Sequence, residues 1–394
     1  MACTKRPDIG TIKLGRRPFT FRAAVSNALF LVYAIALALI LMELVLRTTH
    51  LFGARVEWTE RDPVLGWRFI PAHSYWHRQE NDHAITGRIN KYGWRDVDWS
   101  LRKPANAYRI AVLGDSFVEA IQVESDRTFL SLASRRLSAK LHRPVEMMNF
   151  GRSGFTQTEE YLVLQSDVAR VAPDMVIAVF FPGNDIADVS RETARDRMRP
   201  FFSITGNGRL VLDASFNRSR EHRHKSVLYE LQRYSALLSL VAEKHSALRQ
   251  QKWTDGATPS ETRLRGYMTL CTQHPDPVYV RNYRLNKTLI EAMAEYCRRR
   301  GIRFVLVCVD TEGYRPETER KWTRLDPSVN VNFFEDDLAW YSRSLGIEFI
   351  GLQRAFRRSY EGSGMPLHFG SWGHWNYRGH ELVADILAGE LAPE

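Results

Sequence analysis

The chain has 394 residues, of which 44% are hydrophobic and 25% are charged. These proportions are ordinary for a folded globular protein and argue against a disordered chain. The formal net charge is +10, but no zinc-ligand spacing and no basic helix with base-reading side chains accompanies it, which argues against nucleic-acid binding and against a structural metal.

The first element in chain order is an apolar segment, AAVSNALFLVYAIALALILM at 23–42, which contains no charged residue. A helix of about 20 residues spans roughly 30 Å, the thickness of the hydrocarbon core of a bilayer. Basic residues dominate positions 1–22. The positive-inside rule therefore predicts a cytoplasmic tail at 1–22, a transmembrane signal anchor at 23–46 and an outward-facing remainder. The alternative is a cleaved signal peptide, but the run is long and no small-x-small site follows it directly.

The chain has four cysteines, and the predicted topology distributes them between two compartments. Cys3 falls in the cytoplasmic tail, and three exported cysteines leave at least one unpaired, so the chain is no disulfide scaffold. Cys297 and Cys308 stand in helical and strand patterns and are predicted to pack in the core. Cys271 lies in a loop and is the one candidate for pairing.

A collar is predicted at 47–104, where tryptophan and arginine are frequent. We expect most of these tryptophans to pack rather than to meet the bilayer interface. They are Trp58, Trp67, Trp76, Trp94 and Trp99.

From residue 105 onward, short β-rich runs alternate with helical patterns. Apolar runs without polar alternation predict strands buried on both faces, and their alternation with helices predicts an α/β fold with a five-stranded parallel sheet. The predicted strands are Arg109–Leu113, Val145–Asn149, Met175–Phe181, Arg303–Val309 and Glu348–Leu352. The predicted helices are 126–141, 157–171, 285–300, 333–345 and 377–391.

An insertion at about 190–284 separates the third strand from the fourth. Alternating segments around Gly206-Asn207-Gly208 predict a hairpin, and a helical pattern follows at 226–248. Insertions above the strand ends commonly shape access to the substrate, so we expect specificity to reside here.

Small and polar residues follow the first three strands of the predicted sheet. These strands run into VLGDSFVEA, MNFGRSGFT and FFPGNDIAD. The carboxyl ends of parallel strands meet at one edge, where α/β proteins place their active sites. Glycine, aspartate and serine also form ordinary turns, but three such strand ends in order, followed by His374 near the C-terminus, make a specific set.

These blocks resemble the SGNH (GDSL-type) hydrolase superfamily, in particular its membrane-anchored bacterial members. The resemblance covers about 105–190 and 285–391 and extends upstream to INKYGWRD at 89–96. It implies one hydrolase domain at 105–394, a flavodoxin-like three-layer sandwich that needs no cofactor. The matching blocks are Gly114-Asp115-Ser116, Asn149-x-Gly151-x-x-Gly154, Gly183-Asn184-Asp185 and His374.

By this resemblance Ser116 is the nucleophile and His374 the general base. The backbone N–H groups of Ser116 and Gly154, with the side chain of Asn184, would form the oxyanion hole. The chemistry agrees with these roles, because a serine hydroxyl attacks only when a base takes its proton. Each donor aimed at the developing oxyanion contributes about 3–4 kcal/mol.

One residue of the family pattern is absent. The family places an aspartate two or three residues before the histidine, where this chain has Trp372 and Ser371. Three readings remain open. A dyad suffices, with a backbone carbonyl or the Ser371 hydroxyl orienting His374; or Asp310, at the end of the fourth strand, supplies the acid; or the site is degenerate. Losing the acid of a triad costs about 10⁴-fold in rate, which weakens catalysis without abolishing it.

The resemblance implies a serine esterase that acts on O-acyl groups, in particular O-acetyl groups, of a cell-envelope carbohydrate through an acyl-enzyme on Ser116. Water or a second sugar hydroxyl would accept the acyl group. The alternatives are a degenerate glycan-binding or polysaccharide-assembly protein and a lipid esterase or acyltransferase. The expected location is the inner (cytoplasmic) membrane, with the domain in the periplasm and the polysaccharide ester and the membrane as its partners.

Overall fold

The computed structural model of the chain describes residues 21–49, 58–78, 80–242, 244–245, 264–370 and 373–392. The chain divides into two compact units, Met1–Phe52 and Gly53–Glu394. In the first unit, helix α1 (Phe21–Thr49) contains a stretch with a mean hydropathy of 2.7. By length and composition α1 is sufficient to cross a membrane. Cys3 and nearly all of the predicted cytoplasmic tail lie outside the described residues.

The second unit contains strands and helices in alternation. Its strands are β1 (Thr59–Asp62), β2 (Gly66–Phe69), β3 (Ser74–His77), β4 (Ile85–Arg88), β5 (Tyr108–Gly114), β6 (Val145–Gly151), β7 (Met175–Phe180), β8 (Phe201–Ile204), β9 (Leu210–Asp213), β10 (Arg303–Cys308) and β11 (Glu348–Gly351). Its helices are α2 (Ser116–Glu119), α3 (Phe129–Leu141), α4 (Gln157–Gln165), α5 (Asn184–Asp188), α6 (Arg220–Arg233), α7 (Pro277–Arg298), α8 (Pro316–Leu325), α9 (Phe333–Ser344), α10 (Gln353–Ser363) and α11 (Tyr377–Glu390).

The core is a five-stranded sheet in the order β11-β10-β7-β5-β6, with every pair parallel. This is the strand order of the flavodoxin-like fold, and both faces of the sheet are covered by helices. One apolar cluster joins the sheet to α4, α7 and α9, and a second joins it to α3, α10 and α11. The predicted three-layer α/β sandwich with five parallel strands is therefore confirmed.

The collar forms two antiparallel hairpins, β1-β2 and β3-β4, followed by the INKYGWRD segment. Buried Arg95 fastens this segment to the core, donating hydrogen bonds to the Tyr75 hydroxyl at 2.5 Å and to the carbonyl oxygens of Glu119 at 2.9 Å and Val123 at 2.5 Å. Asp96 accepts from the Asn149 N–H at 2.8 Å. Burial raises the pKa of Asp96 to about 6. The INKYGWRD segment thus connects the collar to the sheet through the hydrogen bonds of Arg95 and Asp96.

The collar tryptophans pack as expected. Trp58, Trp94 and Trp99 are buried, whereas Trp67 and Trp76 are half-buried. The guanidinium of Arg152 lies 4.0 Å above the ring of Trp94, a cation–π contact between the core and the collar.

In the insertion, β8 and β9 form the predicted hairpin. Helix α6 begins before the predicted helical stretch and ends at Arg233. Among the described cysteines, Cys271, Cys297 and Cys308 are all free and buried. The expectation that Cys271 is a candidate for pairing is wrong for this structure, because the residue is enclosed by the core, and burial raises the pKa of its thiol to about 12.

Candidate active site

The turn after β5 places Ser116 at the rim of the sheet. Asp115 caps α2 by accepting the Phe117 N–H at 2.9 Å, which makes Ser116 the first residue of this short helix. A Cβ on Gly114 would lie 2.4 Å from the Val118 side chain, so the tight turn requires glycine. The Ser116 hydroxyl lies in a cavity at this rim.

His374 lies in the segment between α10 and α11. Hydrogen bonds to the backbone of this segment hold it in place. The Phe369 N–H donates to the His374 carbonyl oxygen at 2.8 Å, and Asn376 caps α11 by accepting the N–H groups of Arg378 and Gly379. The neighbouring Trp375 is fully buried. Nε2 of His374 lies 2.7 Å from Oγ of Ser116, the distance of a hydrogen bond from the hydroxyl to the imidazole.

The other side of the imidazole contacts a carboxylate from the collar. Glu80, in the loop between β3 and β4, has Oε1 at 2.9 Å and Oε2 at 3.0 Å from Nδ1 of His374, and Oε2 accepts the His374 backbone N–H at 2.7 Å. When Nε2 accepts from Ser116, Nδ1 must carry the ring proton, and Glu80 accepts it. Glu80 was not among the residues predicted from the sequence, since no local motif marks a residue 294 positions from its partner.

Glu80 is ionised in this arrangement. Burial acts to raise its pKa, but the hydrogen bonds and positive charge of His374 outweigh burial, with a smaller contribution from His77, so that the pKa of Glu80 lies below its ordinary value. The site therefore holds a carboxylate at Nδ1 and a serine hydroxyl at Nε2, an arrangement that can activate a hydroxyl as a nucleophile.

Gln122 also reaches the imidazole, with its side-chain nitrogen 3.0 Å from Nδ1 of His374. An amide N–H cannot donate to a nitrogen that already carries a proton. The nitrogen and oxygen of a glutamine amide are exchanged by a simple flip. With Nδ1 protonated, such a flip would present the Gln122 oxygen to the ring, beside the carboxylate of Glu80.

Asp310 occupies another position than the one predicted for it. Its Oδ1 accepts the Trp375 indole N–H at 2.9 Å, and its Oδ2 lies 3.3 Å from Nε2 of His368. Asp310 follows β10 at the rim of the sheet, as predicted. Its carboxyl group contacts Trp375 and His368, however, and Glu80 is the acid beside Nδ1 of His374. The Ser371 hydroxyl, the other suggested partner, lies outside the described residues.

Burial favours the neutral form of both Asp310 and His368. Burial raises the pKa of Asp310 to about 8, although the bond from Trp375 opposes the rise. Burial likewise lowers the pKa of His368 to about 3. A protonated Oδ2 donating to a neutral imidazole accounts for both directions and supplies a partner for an oxygen that is otherwise unsatisfied.

The predicted oxyanion donors line the same cavity as Ser116 and His374. Gly154 has a φ of +75°, and no atom lies within 4 Å of where its Cβ would stand, so its backbone borders open space. The side-chain nitrogen of Asn184 donates to the Phe155 carbonyl at 2.9 Å and to Oδ1 of Asp185 at 3.2 Å. An oxyanion would have to replace the longer of these two bonds.

The turn that carries Asn184 is stabilised by hydrogen bonds to the buried side chain of Asp185. Asp185 accepts the Phe181 N–H at 2.7 Å and a Gln157 amide N–H at 2.9 Å. Burial raises the pKa of Asp185 and of Glu160 well above the ordinary range; the charge of Asp115 adds to the rise at Asp185, and the charge of Asp185 adds to the rise at Glu160. Among the described residues, no group of three or more His, Cys, Asp or Glu side chains is arranged to hold a metal ion.

Two cavities meet at the site. The larger, of about 440 Å³, contains Ser116 and His374 and has aromatic walls that include Phe117, Phe181 and Tyr267. The smaller measures about 260 Å³. Three residues line both cavities, namely Ser153, Gly154 and Arg195. The remaining lining of the smaller cavity consists of Trp67, Phe155, Glu159, Asp188, Asp196 and Arg199.

Comparison with known proteins gives one family. The model of the GDSL-like lipase/acylhydrolase family matches residues 112–382, and none of the curated proteins matches the sequence.

Several solved structures are similar to this chain at low sequence identity. A lipase/acylhydrolase from Enterococcus faecalis is 16% identical, with a TM-score of 0.37 over 72% of this chain and 95% of that one. The acetyl xylan esterase AlAXEase is 12% identical, with a TM-score of 0.40 over 71% and 98%. A two-domain esterase active on acetylated mannans is 12% identical, with a TM-score of 0.37 over 73% and 51%. At such identities and TM-scores the likeness does not extend to the substrate.

Proposed function

The chain belongs to the GDSL-like lipase/acylhydrolase family and is therefore an ester-bond hydrolase; we propose that Ser116 and His374 remove O-acyl groups, in particular O-acetyl groups, from a carbohydrate of the cell envelope. The contact between the Ser116 hydroxyl and Nε2 of His374 supports an active site over a degenerate, glycan-binding one. The observation that carries the carbohydrate substrate is the small, charged cavity beside Gly154.

The reaction follows from the positions of these groups. His374 takes the hydroxyl proton as Ser116 Oγ attacks the acyl carbon, and the carbonyl electrons move to the oxygen, which faces the Ser116 and Gly154 N–H groups. His374 then returns the proton to the departing sugar oxygen, leaving the acyl group on Ser116. A water molecule, deprotonated by His374, attacks the acyl carbon; the bond from that carbon to Ser116 Oγ breaks, His374 returns the proton to Oγ, and the carboxylic acid leaves. A second sugar hydroxyl in place of water would make the reaction a transfer.

The two halves of an ester match the two cavities. The aromatic walls of the larger cavity suit the acyl group, whereas the smaller cavity offers Trp67 and two ion pairs. In these pairs Arg195 binds Asp188, and Arg199 binds Glu159 at 2.6 Å. Paired charges leave hydrogen-bonding edges with little net charge, and an aromatic ring gives a stacking face, a combination that suits a neutral polyhydroxylated ligand.

A second candidate is an esterase or acyltransferase for longer acyl chains. The observation in its favour is the volume of about 440 Å³ in the larger cavity, which exceeds what an acetyl group fills. The charged smaller cavity would then receive a polar head group. The two candidates differ in which half of the substrate the enzyme selects.

The membrane location belongs to the same proposal. The helical stretch Ala24–Thr48 is long and apolar enough to cross a membrane, which supports the anchor, and the basic residues that precede it in the sequence support a hydrolase domain outside the cytoplasm. After an alkaline wash, full-length protein should remain in the membrane fraction, and protease added to spheroplasts should digest the domain. A soluble, N-terminally trimmed product would contradict the anchor.

The test uses the full chain in detergent micelles, with p-nitrophenyl esters from acetate to dodecanoate and with O-acetylated oligosaccharides. Ser116→Ala and His374→Ala should each lower kcat by at least about 10³-fold on all of them. Trp67→Ala should raise KM for the acetylated oligosaccharide by about tenfold, equivalent to about 1.4 kcal/mol, and leave KM for p-nitrophenyl acetate unchanged.

Trp76→Ala is the matched control, because Trp76 is a half-buried collar tryptophan that lines neither cavity. Equal effects of the two tryptophan substitutions would remove Trp67 from the sugar site. A rate that rises steadily with acyl length, with no turnover of the sugar ester, would replace the carbohydrate proposal by the second candidate.

A further inference from the structure

We infer that Glu80, supplied by the collar, is the positioning residue for His374 and replaces the acid that the histidine segment of this chain lacks. The inference rests on the proposed function of Ser116 and His374. It assigns a role to a residue outside the part of the chain that matches the family, 112–382. The active site of this enzyme is then built from two regions, the α/β core and the collar.

The contact fixes the ring in two ways at once. Oε2 of Glu80 accepts the backbone N–H of His374 at 2.7 Å, and both carboxylate oxygens lie within 3.0 Å of Nδ1. A carboxylate that binds the backbone and the ring of one residue sets both the position of the Cα atom and the rotation of the imidazole. It also selects the tautomer with the proton on Nδ1, which leaves Nε2 free to accept the Ser116 proton.

The backbone around the contact is shaped for it. A Cβ on Gly373 would stand 2.9 Å from Oε2 of Glu80 and 2.1 Å from the Phe369 carbonyl oxygen, so glycine leaves the space that the carboxylate enters. Glu80 itself has a φ of +71°, a left-handed conformation that glutamate rarely adopts. Such a conformation costs about 1–2 kcal/mol and persists where its surroundings impose it, which is typical of functional positions.

Neighbouring side chains hold the loop on both sides of the contact. Asn81 donates to the Gln122 carbonyl at 3.0 Å and to the Tyr377 hydroxyl at 3.1 Å. Nε2 of His83 lies 3.0 Å from Oε1 of Glu124. These bonds dock the loop on the core without touching the imidazole, so that docking and orientation are carried by different residues and can be separated by substitution.

The negative charge of Glu80 stabilises the charged form of the His374 imidazole over the neutral form. The titratable groups around the pair are His77 beside Glu80, and Asp115, His368 and His380 beside His374. Burial lowers the pKa of His368 and of His380 to about 3, which keeps both neutral. Burial raises the pKa of Asp115 to about 6. Glu80 is thus the acid in contact with the ring that stabilises the imidazolium formed when Ser116 loses its proton.

The experiment compares Glu80→Gln and Glu80→Asn with wild type in full-length protein, with p-nitrophenyl acetate as the probe. Each should lower kcat on the order of 10³-fold, less than the loss of about 10⁴-fold for a fully buried triad acid, because Glu80 is partly exposed and Gln122 remains on Nδ1. The acid limb of the pH profile should move to lower pH, since a neutral side chain no longer stabilises the imidazolium. Glu80→Asp should restore part of the activity.

Glu80→Asn separates orientation from folding, because asparagine accepts a positive φ more readily than glutamate and should not lower the melting temperature. Glu124→Gln is the matched control: it weakens loop docking without removing the carboxylate at Nδ1 and should change kcat by less than about threefold. The inference is overturned if Ser116→Ala abolishes turnover while Glu80→Gln leaves kcat and the acid limb unchanged. If Ser116→Ala also leaves turnover unchanged, the proposed function itself has failed.

Discussion

Two regions each bring a carboxyl group to the segment that carries His374, and they shift the pKa of that group in opposite directions. The collar loop holds Glu80 against the imidazole at a partly exposed position, where the positive partner keeps its pKa low. The end of β10 holds Asp310 in full burial against an indole and a neutral histidine, where burial raises its pKa to about 8. Contact with the imidazole favours the charged form of Glu80, whereas burial favours the neutral form of Asp310.

The comparison shows that proximity to the rim of the sheet does not make an acid useful to the base. A group that stabilises an imidazolium must itself be ionised, and burial without a cationic partner prevents ionisation. Asp310 is suited to holding Trp375 in place, one residue from His374, whereas Glu80 is suited to acting on the ring. Four substitutions sharpen or break this division, from the largest expected effect to the smallest.

Arg95→Met attacks the region that carries Glu80. Arg95 makes three hydrogen bonds from a buried position between the collar and the turn after α2. Their loss leaves buried acceptors unsatisfied, and the free energy of unfolding should fall by about 3 kcal/mol or more. Urea denaturation measures the loss, and kcat should fall with it because Glu80 is no longer held. Full activity in this variant would show that the collar does not position Glu80.

Trp375→Phe attacks the region that carries Asp310. The change keeps an aromatic ring in the core but removes the indole N–H that Oδ1 of Asp310 accepts at 2.9 Å. An unsatisfied buried acceptor costs about 1–3 kcal/mol, so thermal unfolding should occur at a lower temperature. We expect kcat to change by less than about tenfold. A loss as large as that of Glu80→Gln would give Asp310 and Trp375 a direct share in catalysis.

Asp310→Asn should leave turnover near that of wild type and change the pH dependence of stability. The folded-state pKa of Asp310, about 8, lies above its ordinary value. Its contribution to stability is therefore fully present below about pH 4 and is lost as the pH rises through about 8. Asparagine keeps an acceptor for Trp375 and a donor for His368 and does not ionise. Melting temperatures of the two proteins should diverge between about pH 4 and pH 8, in favour of the variant, and the difference should stay constant above pH 8; parallel curves between pH 4 and pH 8 would mean that Asp310 is ionised when folded.

Glu60→Gln tests whether any acid of the collar matters. Glu60 pairs with Arg68 at 2.6 Å on the β1-β2 hairpin, and both side chains are partly exposed. Exposed pairs contribute about 0.2–1 kcal/mol, so stability should fall by less than about 1 kcal/mol with kcat unchanged. A marked fall in kcat would mean that the collar acts through its overall charge rather than through Glu80.

The sequence analysis predicted the sheet, Ser116 and His374 because each is marked by a local pattern. Each of the five apolar runs, like the glycine-containing turn before Ser116, is a pattern shorter than about ten residues. Burial in the core then stabilises the strands that these patterns predict. Asp310 was chosen by the same rule, since it ends a core strand, but one hydrogen bond from Trp375 decides its partner, and no pattern reports a single bond. Glu80 lies between two short strands of a hairpin whose alternation is weak, and its contact depends on how the collar docks.

The distance along the chain between Glu80, Ser116 and His374 has a consequence for biosynthesis. Glu80 precedes its partner by 294 positions, and Ser116 precedes it by 258. A ribosome has completed the collar and most of the sheet long before His374 leaves the exit tunnel, and contacts between such remote positions form late because they close the longest loops. The contacts among Ser116, His374 and Glu80 therefore form only after the segment that carries His374 has been synthesised. We expect hydrolytic activity to begin only when that segment has packed against the sheet.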